Sequence, residues 1–366
     1  MKNIERALIR SGFLMNPGFY AVVDGQYGST GKGLLSSVLA EHAKGKVDIV
    51  TSNAGPNSGH TSYYRGRKVV LRQLPTFSVM HQLFHGHMPV THLNAGAIIE
   101  WETLGNEVVE YIVDRHLFSV SDLAAVVGAL DTDAESPMVS RIGSTGKGTG
   151  AALASKIMRE PRAVFGGAFA EDHLFGPFVD EFITDTLEFK DVTDPSHQTI
   201  LAEVSQGFSL SLNAGGFYPF CTSRDCTVGQ AMSDAGIHPS FYRDCAMVVR
   251  TFPIRVAGNS GGCYPDQREL SWDEVGQVPE LTTVTQKTRR IFSWSKRQFM
   301  DAVRANRPGV VMVNFMNYLH EGVDHEEWLM NNVYRPYYDA MGTNPKLVLL
   351  GYGPNNNDVR VHGVGQ

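Results

Sequence analysis

The sequence predicts an α/β protein: a large, mostly parallel central sheet with flanking helices, built on a P-loop-like unit with insertions. Three observations predict it. Phe19-Tyr20-Ala21-Val22-Val23-Asp24 reads as a buried strand. A glycine-rich turn follows, and Leu34, Leu35, Val38 and Leu39 then recur at helical spacing. Val47-Asp48-Ile49-Val50 is the next apolar run. Strand, glycine loop, helix, strand is the signature of a βαβ unit, which pairs its strands in parallel.

In chain order, residues 1–18 are a short lead-in of mixed character. After the βαβ unit, strand candidates are Ala97–Glu100, Ala246–Arg250, Gly309–Asn314 and Lys346–Leu350. Gly258–Gly262 and Asn355–Asp358 read as loops too short to be boundaries. No low-complexity linker divides the chain, so residues 1–366 are expected to form a single domain. Gly-Ser-Thr-Gly-Lys-Gly occurs at both 28–33 and 143–148, not at a solenoid period. Two glycine loops on one substrate is the better reading.

The bulk numbers exclude several classes. The 366 residues are 42% hydrophobic and 19% charged, an ordinary globular balance. Net charge is −6 and the pI about 6.1, so no basic footprint points to nucleic acid. Small anionic ligands stay possible, because their sites are local. No apolar run reaches the roughly 20 residues of a membrane span, and no N-terminal run has the build of a signal peptide. Cys221, Cys226, Cys245 and Cys263 form no CxxC pair and no zinc spacing, so reduced thiols in a cytoplasmic compartment are expected.

The loop Asp24-Gly25-Gln26-Tyr27-Gly28-Ser29-Thr30-Gly31-Lys32-Gly33 lies where a phosphate loop belongs. Backbone N–H groups and a helix N-terminus would face the anion, and Lys32 adds a point charge. The match to the standard P-loop is imperfect. Gln26 stands where its first glycine should be, and Gly33 replaces the Ser or Thr whose hydroxyl usually meets magnesium. A glycine turn packed tightly under a sheet is the competing reading.

The next element, Asn53-Ala54-Gly55-Pro56-Asn57-Ser58-Gly59-His60-Thr61, follows the second apolar run. Together the two loops resemble the leading motifs of the adenylosuccinate synthetase family, G-Q-W-G-D-E-G-K-G-K and G-G-N-N-A-G-H-T, at this separation. The resemblance continues in order. Asn94–Glu100 is similar to G-N-G-V-V-V-D, Ile142–Gly148 to I-G-T-T-G-R-G, Glu203–Gly207 to E-G-A-Q-G and Tyr218–Thr222 to Y-P-Y-V-T. Arg255–Gly258 is similar to T-R-V-G, and Gln286–Arg290 to the basic aspartate loop.

The resemblance implies a ligase that phosphorylates O6 of a purine nucleotide with a nucleoside triphosphate and lets aspartate displace the phosphate. Ser29, Lys32 and His60 would be its catalytic side chains. Ser29, Thr30, Gly31, Lys32, Gly33, Gly59, His60, Thr61, Asn314, Asn317, Gly353 and Pro354 would hold the triphosphate, with Mg2+ near Ser29 and the Gly59 carbonyl. Ser29, Asn57, Ser144, Thr145, Gln206 and Thr222 would hold the monophosphate, joined by Arg159 reaching across a homodimer interface. Thr282, Thr283, Thr285, Lys287, Arg289 and Arg290 would face the aspartate carboxylates. Lys287 stands where the family usually has Arg, so two-pronged binding is lost there.

Two departures bear on the substrate. Family loops carry Asp then Glu where this chain has Ser29 and Thr30. That Asp is the base that takes the N1 proton of IMP, and serine is too weak a base to replace it. Serine here resembles the phage branch of the family, the 2-aminoadenylosuccinate synthetases, which use dGMP in place of IMP. Its small neutral side chain would leave room for guanine's exocyclic amine. The family's guanine-reading T-K-L-D run looks like Asn314-Phe315-Met316-Asn317 here, without the carboxylate, so ATP or dATP is expected over GTP. The alternatives are an ordinary synthetase using IMP and GTP, a P-loop NTPase switch, and a catalytically dead regulatory member. The acceptor residues 203–222 and the basic loop 282–290 speak against a switch.

Overall fold

The computed structural model describes residues 2–43, 47–112, 114–160, 163–164, 183–184, 189, 193–282 and 286–363. Ten strands form one sheet in the order Val359–His362, Leu347–Gly351, Val310–Asn314, Tyr242–Arg250, Gly18–Asp24, Thr199–Glu203, Ile49–Ser52, Val90–Leu93, Phe118–Ser121 and Ile183–Thr184. Every pairing is parallel except that of the edge strand Val359–His362. The expected α/β class is the one observed.

The strand Gly18–Asp24 is buried along its whole length, and its period of two splits it between two cores. Tyr20 and Val22 pack with the helix Lys32–Ala43, through Leu34, Leu35, Val38 and Leu39. Phe19, Ala21 and Val23 face the opposite layer, against Val228, Met232, Phe299 and Val303. Burial on both faces explains why these strands read as unbroken apolar runs rather than alternating ones.

The predicted βαβ unit forms, but its two strands are not neighbours. Thr199–Glu203 lies between Gly18–Asp24 and Ile49–Ser52, parallel to both. The expected strand at Ala97–Glu100 is corrected: only Ile98–Ile99 is extended, paired with Ala125–Val126 outside the main sheet. A turn closes just before it, Ala97 N–H donating to Asn94, and Glu100 already caps the helix Trp101–Tyr111 by accepting from Thr103 N–H. Val90–Leu93, Phe118–Ser121, Thr199–Glu203 and Val359–His362 are strands the apolar pattern did not single out.

Asp24, Ser52, Glu203, Arg250 and Asn314 each end a parallel strand. Their side chains therefore gather at the carboxyl edge of the sheet, where open α/β sheets bind ligands. No helix among the described residues is long and apolar enough to cross a membrane.

Candidate active site

A cleft of about 570 Å³ opens at this edge. Its floor is the loop between Asp24 and the helix Lys32–Ala43. Asp24, buried, organises that loop: Oδ1 accepts from the N–H groups of Gln26 (2.8 Å) and Gly28 (3.3 Å), and Oδ2 accepts from the Thr30 hydroxyl. Lys32 Nζ stands 3.5 Å from the same carboxylate and donates to the Gln206 carbonyl at 2.6 Å. Gly31 has φ +97°, and a Cβ there would lie 2.1 Å from Asn314 Nδ2, so only glycine fits.

The His60–Tyr64 and Arg67–Leu71 hairpin forms one wall. His60 Nδ1 lies 3.7 Å from Glu203 Oε2. Glu203 is itself fixed by the N–H groups of Thr76 (3.0 Å) and Phe77 (2.5 Å) at the start of a helix, a good place for a carboxylate. Gln206 Nε2 donates to Asn57 Oδ1 at 3.1 Å, tying the loops that carry them together. Lys68 and Arg72 from the hairpin add cations to the cleft wall.

The third wall is made by Glu280, Thr282, Lys287 and Arg289. Arg289 Nη1 donates to Ser29 Oγ at 3.0 Å. Arg250 is fully buried; it pairs with Glu280 (2.6 and 3.3 Å), donates to the Ser29 carbonyl at 3.2 Å and stacks 3.7 Å over the Phe315 ring. Burial pushes the Glu280 carboxyl up, but the Arg250 guanidinium and the Tyr318 hydroxyl more than offset it, leaving it below the usual range. Tyr318 itself is pushed up to about 12, by burial first and then by Glu280, so its hydroxyl stays a donor.

Of the residues singled out from sequence, Ser29, Thr30, Gly31, Lys32, Gly33, Asn57, Gly59, His60, Thr61, Ser144, Thr145 and Gln206 line the cleft together. So do Thr282, Lys287, Arg289, Asn314, Asn317, Gly353 and Pro354. Thr283 and Thr285 lie outside the described residues. Thr222 is behind the wall, its N–H donating to the carbonyl of the lining residue Leu210. Arg159 is exposed beyond the helix Thr149–Ile157 and does not line this chain's cleft. Arg290 is corrected: it pairs with Glu269 (2.6 Å) and bonds Ser260 and Gly261, away from the cleft. Asn314 is mostly committed to the chain itself: Nδ2 donates to the Thr30 carbonyl and Oδ1 accepts from Phe315 N–H. Exposed Asn317 is thus the amide of the pair that is open to a ligand.

The echo at 143–148 is not a second phosphate loop of the same build. It follows a helix, Ala129–Ile142, rather than a strand, and Glu135 accepts from the Gly148 N–H. The sequence places Asp24, Glu203 and Arg250 in strand or motif segments but gives them, like Glu280, no role in the site. The first three each end an apolar run beside a quoted motif, a usable signal; Glu280 has none. Among the described residues no three His, Cys, Asp or Glu form a metal-holding group. Gly59 instead offers a neutral oxygen on the cleft wall, and Ser29 a hydroxyl that is open to a cation once Arg289 leaves it. That fits Mg2+, which takes few protein ligands when phosphates and water supply the rest.

Comparisons with known proteins agree with this geometry. The adenylosuccinate synthetase family model matches residues 21–175 and 169–320. The N6-succino-2-amino-2'-deoxyadenylate synthase of Vibrio phage phiVC8 is 37% identical over 351 residues, covering 93% of this chain and 97% of that protein. The synthase of the same name from Salmonella phage PMBT28 is 34% identical, covering 92% and 96%. Among solved structures, the cyanophage S-2L succinoaminodeoxyadenylate synthetase, bound to dGMP and to dATP as an energy donor, superposes with a TM-score of 0.80. It is 30% identical, with 94% of this chain and 95% of that one covered.

Proposed function

The chain belongs to the adenylosuccinate synthetase family, and we propose that within it this enzyme joins L-aspartate to dGMP at the expense of ATP or dATP. The products are N6-succino-2-amino-2'-deoxyadenylate, the nucleoside diphosphate and phosphate. The observation that carries the reading is Ser29. It occupies the phosphate loop without a carboxylate, and its hydroxyl faces a guanidinium in the cleft. The phage synthases and the dGMP-bound cyanophage structure support the same substrate.

Lys32 and the loop N–H groups hold the donor phosphates, and Lys32's tie to the Gln206 carbonyl fixes it between donor and acceptor segments. Ser29 and Gly59 would hold Mg2+, which neutralises phosphate charge during transfer. His60, with one ring nitrogen facing Glu203, offers the other to the moving phosphoryl group. The acceptor lies against Asn57, Ser144, Thr145 and Gln206, with Thr222 supporting the wall behind them. Its phosphate meets Arg159 of a second copy in a homodimer. Arg289 stands 3.0 Å from Ser29 Oγ, so a purine seated with N1 and O6 toward Ser29 would find positive charge there. That cation lowers the cost of removing the N1 proton without a carboxylate base. Thr282, Lys287 and Arg289, with Thr283 and Thr285, take the aspartate carboxylates, and Asn317 reads the donor base.

A steady-state assay with Mg2+ and aspartate tests this. It compares dGMP, GMP and IMP, each with ATP, dATP and GTP, and follows the succino-purine product. Turnover of dGMP with ATP or dATP, and little with IMP, is expected. Preference for IMP with GTP would assign an ordinary synthetase.

A further inference from the structure

Arg250 touches three segments of the proposed site: the phosphate loop and the donor-base segment, which serve the triphosphate, and the hairpin that serves aspartate. Its guanidinium donates to the Ser29 carbonyl on the phosphate loop at 3.2 Å. It pairs with Glu280, at the foot of the hairpin opposite Arg289, with Thr282 and Lys287 further along it. It stacks on Phe315 at 3.7 Å and lies 5.6 Å from the Tyr318 ring, the residues flanking Asn317. Tyr318 closes the circuit by donating to Glu280 Oε1 at 3.0 Å.

Among the described residues, Arg250 and Arg289 carry bonds between the hairpin and the phosphate loop. The hairpin's internal bonds, Arg289 N–H to the Glu280 carbonyl and Thr282 N–H to the Lys287 carbonyl, shape the turn, and Trp272 Nε1, donating to the Arg289 carbonyl at 2.8 Å, ties its base to the helix Trp272–Val275 rather than to the phosphate loop. The Arg289 to Ser29 bond is made by the side chain that aspartate would claim. Arg250 is anchored from behind as well. Its N–H donates to Gln26 Oε1 at 2.9 Å, and its carbonyl accepts from Gln26 Nε2 at 3.1 Å. A planar cation with a two-pronged partner and an aromatic face holds its neighbours at fixed angles.

We infer that the Arg250–Glu280 pair is a positioning device: it sets the aspartate hairpin against the phosphate loop and ties both to the donor-base segment. It touches no reacting atom. The pair's one bond to the residues proposed around the purine monophosphate is to the Ser29 backbone carbonyl, whereas Glu280 is part of the hairpin itself, so loss of the Glu280 charge falls first on aspartate rather than on the acceptor. The inference rests on the proposed aspartate role of this hairpin.

The test is Glu280→Gln, which keeps the shape and removes the charge, beside Arg250→Lys, which keeps the charge and loses the fork. The KM for aspartate should rise roughly tenfold or more in Glu280→Gln, while the KM for dGMP stays within about twofold. Arg250→Lys should fall between wild type and Glu280→Gln. A purely structural role would move both KM values together or lower the melting midpoint alone. Parallel changes in both KM values, or an aspartate KM close to wild type in folded Glu280→Gln, overturn the inference. Wild-type enzyme that consumes no aspartate would instead overturn the functional reading on which it stands.

Discussion

Ser29 sits at φ +54°, in the left-handed region that few residues other than glycine, Asn and Asp enter readily. Its conformation therefore suits an aspartate, yet its hydroxyl meets Arg289 and its carbonyl meets Arg250. Restoring a carboxylate with Ser29→Asp would pair it with Arg289 and crowd the purine's C2 edge. The expected result is a fall of about tenfold or more in the ratio of kcat/KM for dGMP to that for IMP. An unchanged ratio would mean that guanine's amine is accommodated elsewhere. At this scale the sequence is informative where chemistry is local. Lys32, His60 and Ser29 could be picked out because loop and motif fix them. Arg159 and Thr222 could not be placed, because their surroundings depend on distant chain. Arg290 looked equivalent to Arg289, but successive residues of an extended segment point to opposite sides, and only Arg289 faces the cleft.

Among the elements, the helix Lys32–Ala43 and the hairpin beginning at His60 meet so closely that they decide one residue. A Cβ on Gly33 would lie 2.6 Å from the Thr61 carbonyl oxygen and 3.0 Å from its nitrogen. Both are backbone atoms of a strand, which cannot move aside as a side chain can. The usual phosphate-loop hydroxyl is thus excluded here by packing, and its absence from the sequence has a structural cause. Gly33→Ser should cost about 1–3 kcal/mol through overpacking and bring no gain in Mg2+ affinity. A melting curve and a Mg2+ titration of activity check the two halves. Tighter Mg2+ dependence in a fully stable variant would show that the hairpin yields. Long apolar strands such as Tyr242–Arg250 and Val310–Asn314 were legible as elements, since burial on both faces writes a continuous run. Short ones were not: Val90–Leu93 carries a buried histidine and threonine, and Thr199–Glu203 ends in a buried carboxylate.

For the molecule as a whole, the exposed Arg159 follows Ile157 and Met158, each 73% exposed, and does not line its own cleft. If a second copy completes each site, two defective chains can repair one another. Mixing Lys32→Met with Arg159→Ala subunits should restore up to about one quarter of wild-type activity, because random pairing gives one intact site in half the dimers. No recovery after mixing and re-equilibration would place both residues in one chain's site. The sheet order has a further consequence, for the time course of synthesis. The strand Gly18–Asp24 is the first to leave the ribosome, but its two partners are Thr199–Glu203 and Tyr242–Arg250. The phosphate loop that it carries therefore waits, with an apolar strand unpaired, until the chain has grown past residue 250. At synthesis rates of about 5–20 residues per second, that interval lasts on the order of ten seconds or more, and the nascent chain is then a natural client for chaperones.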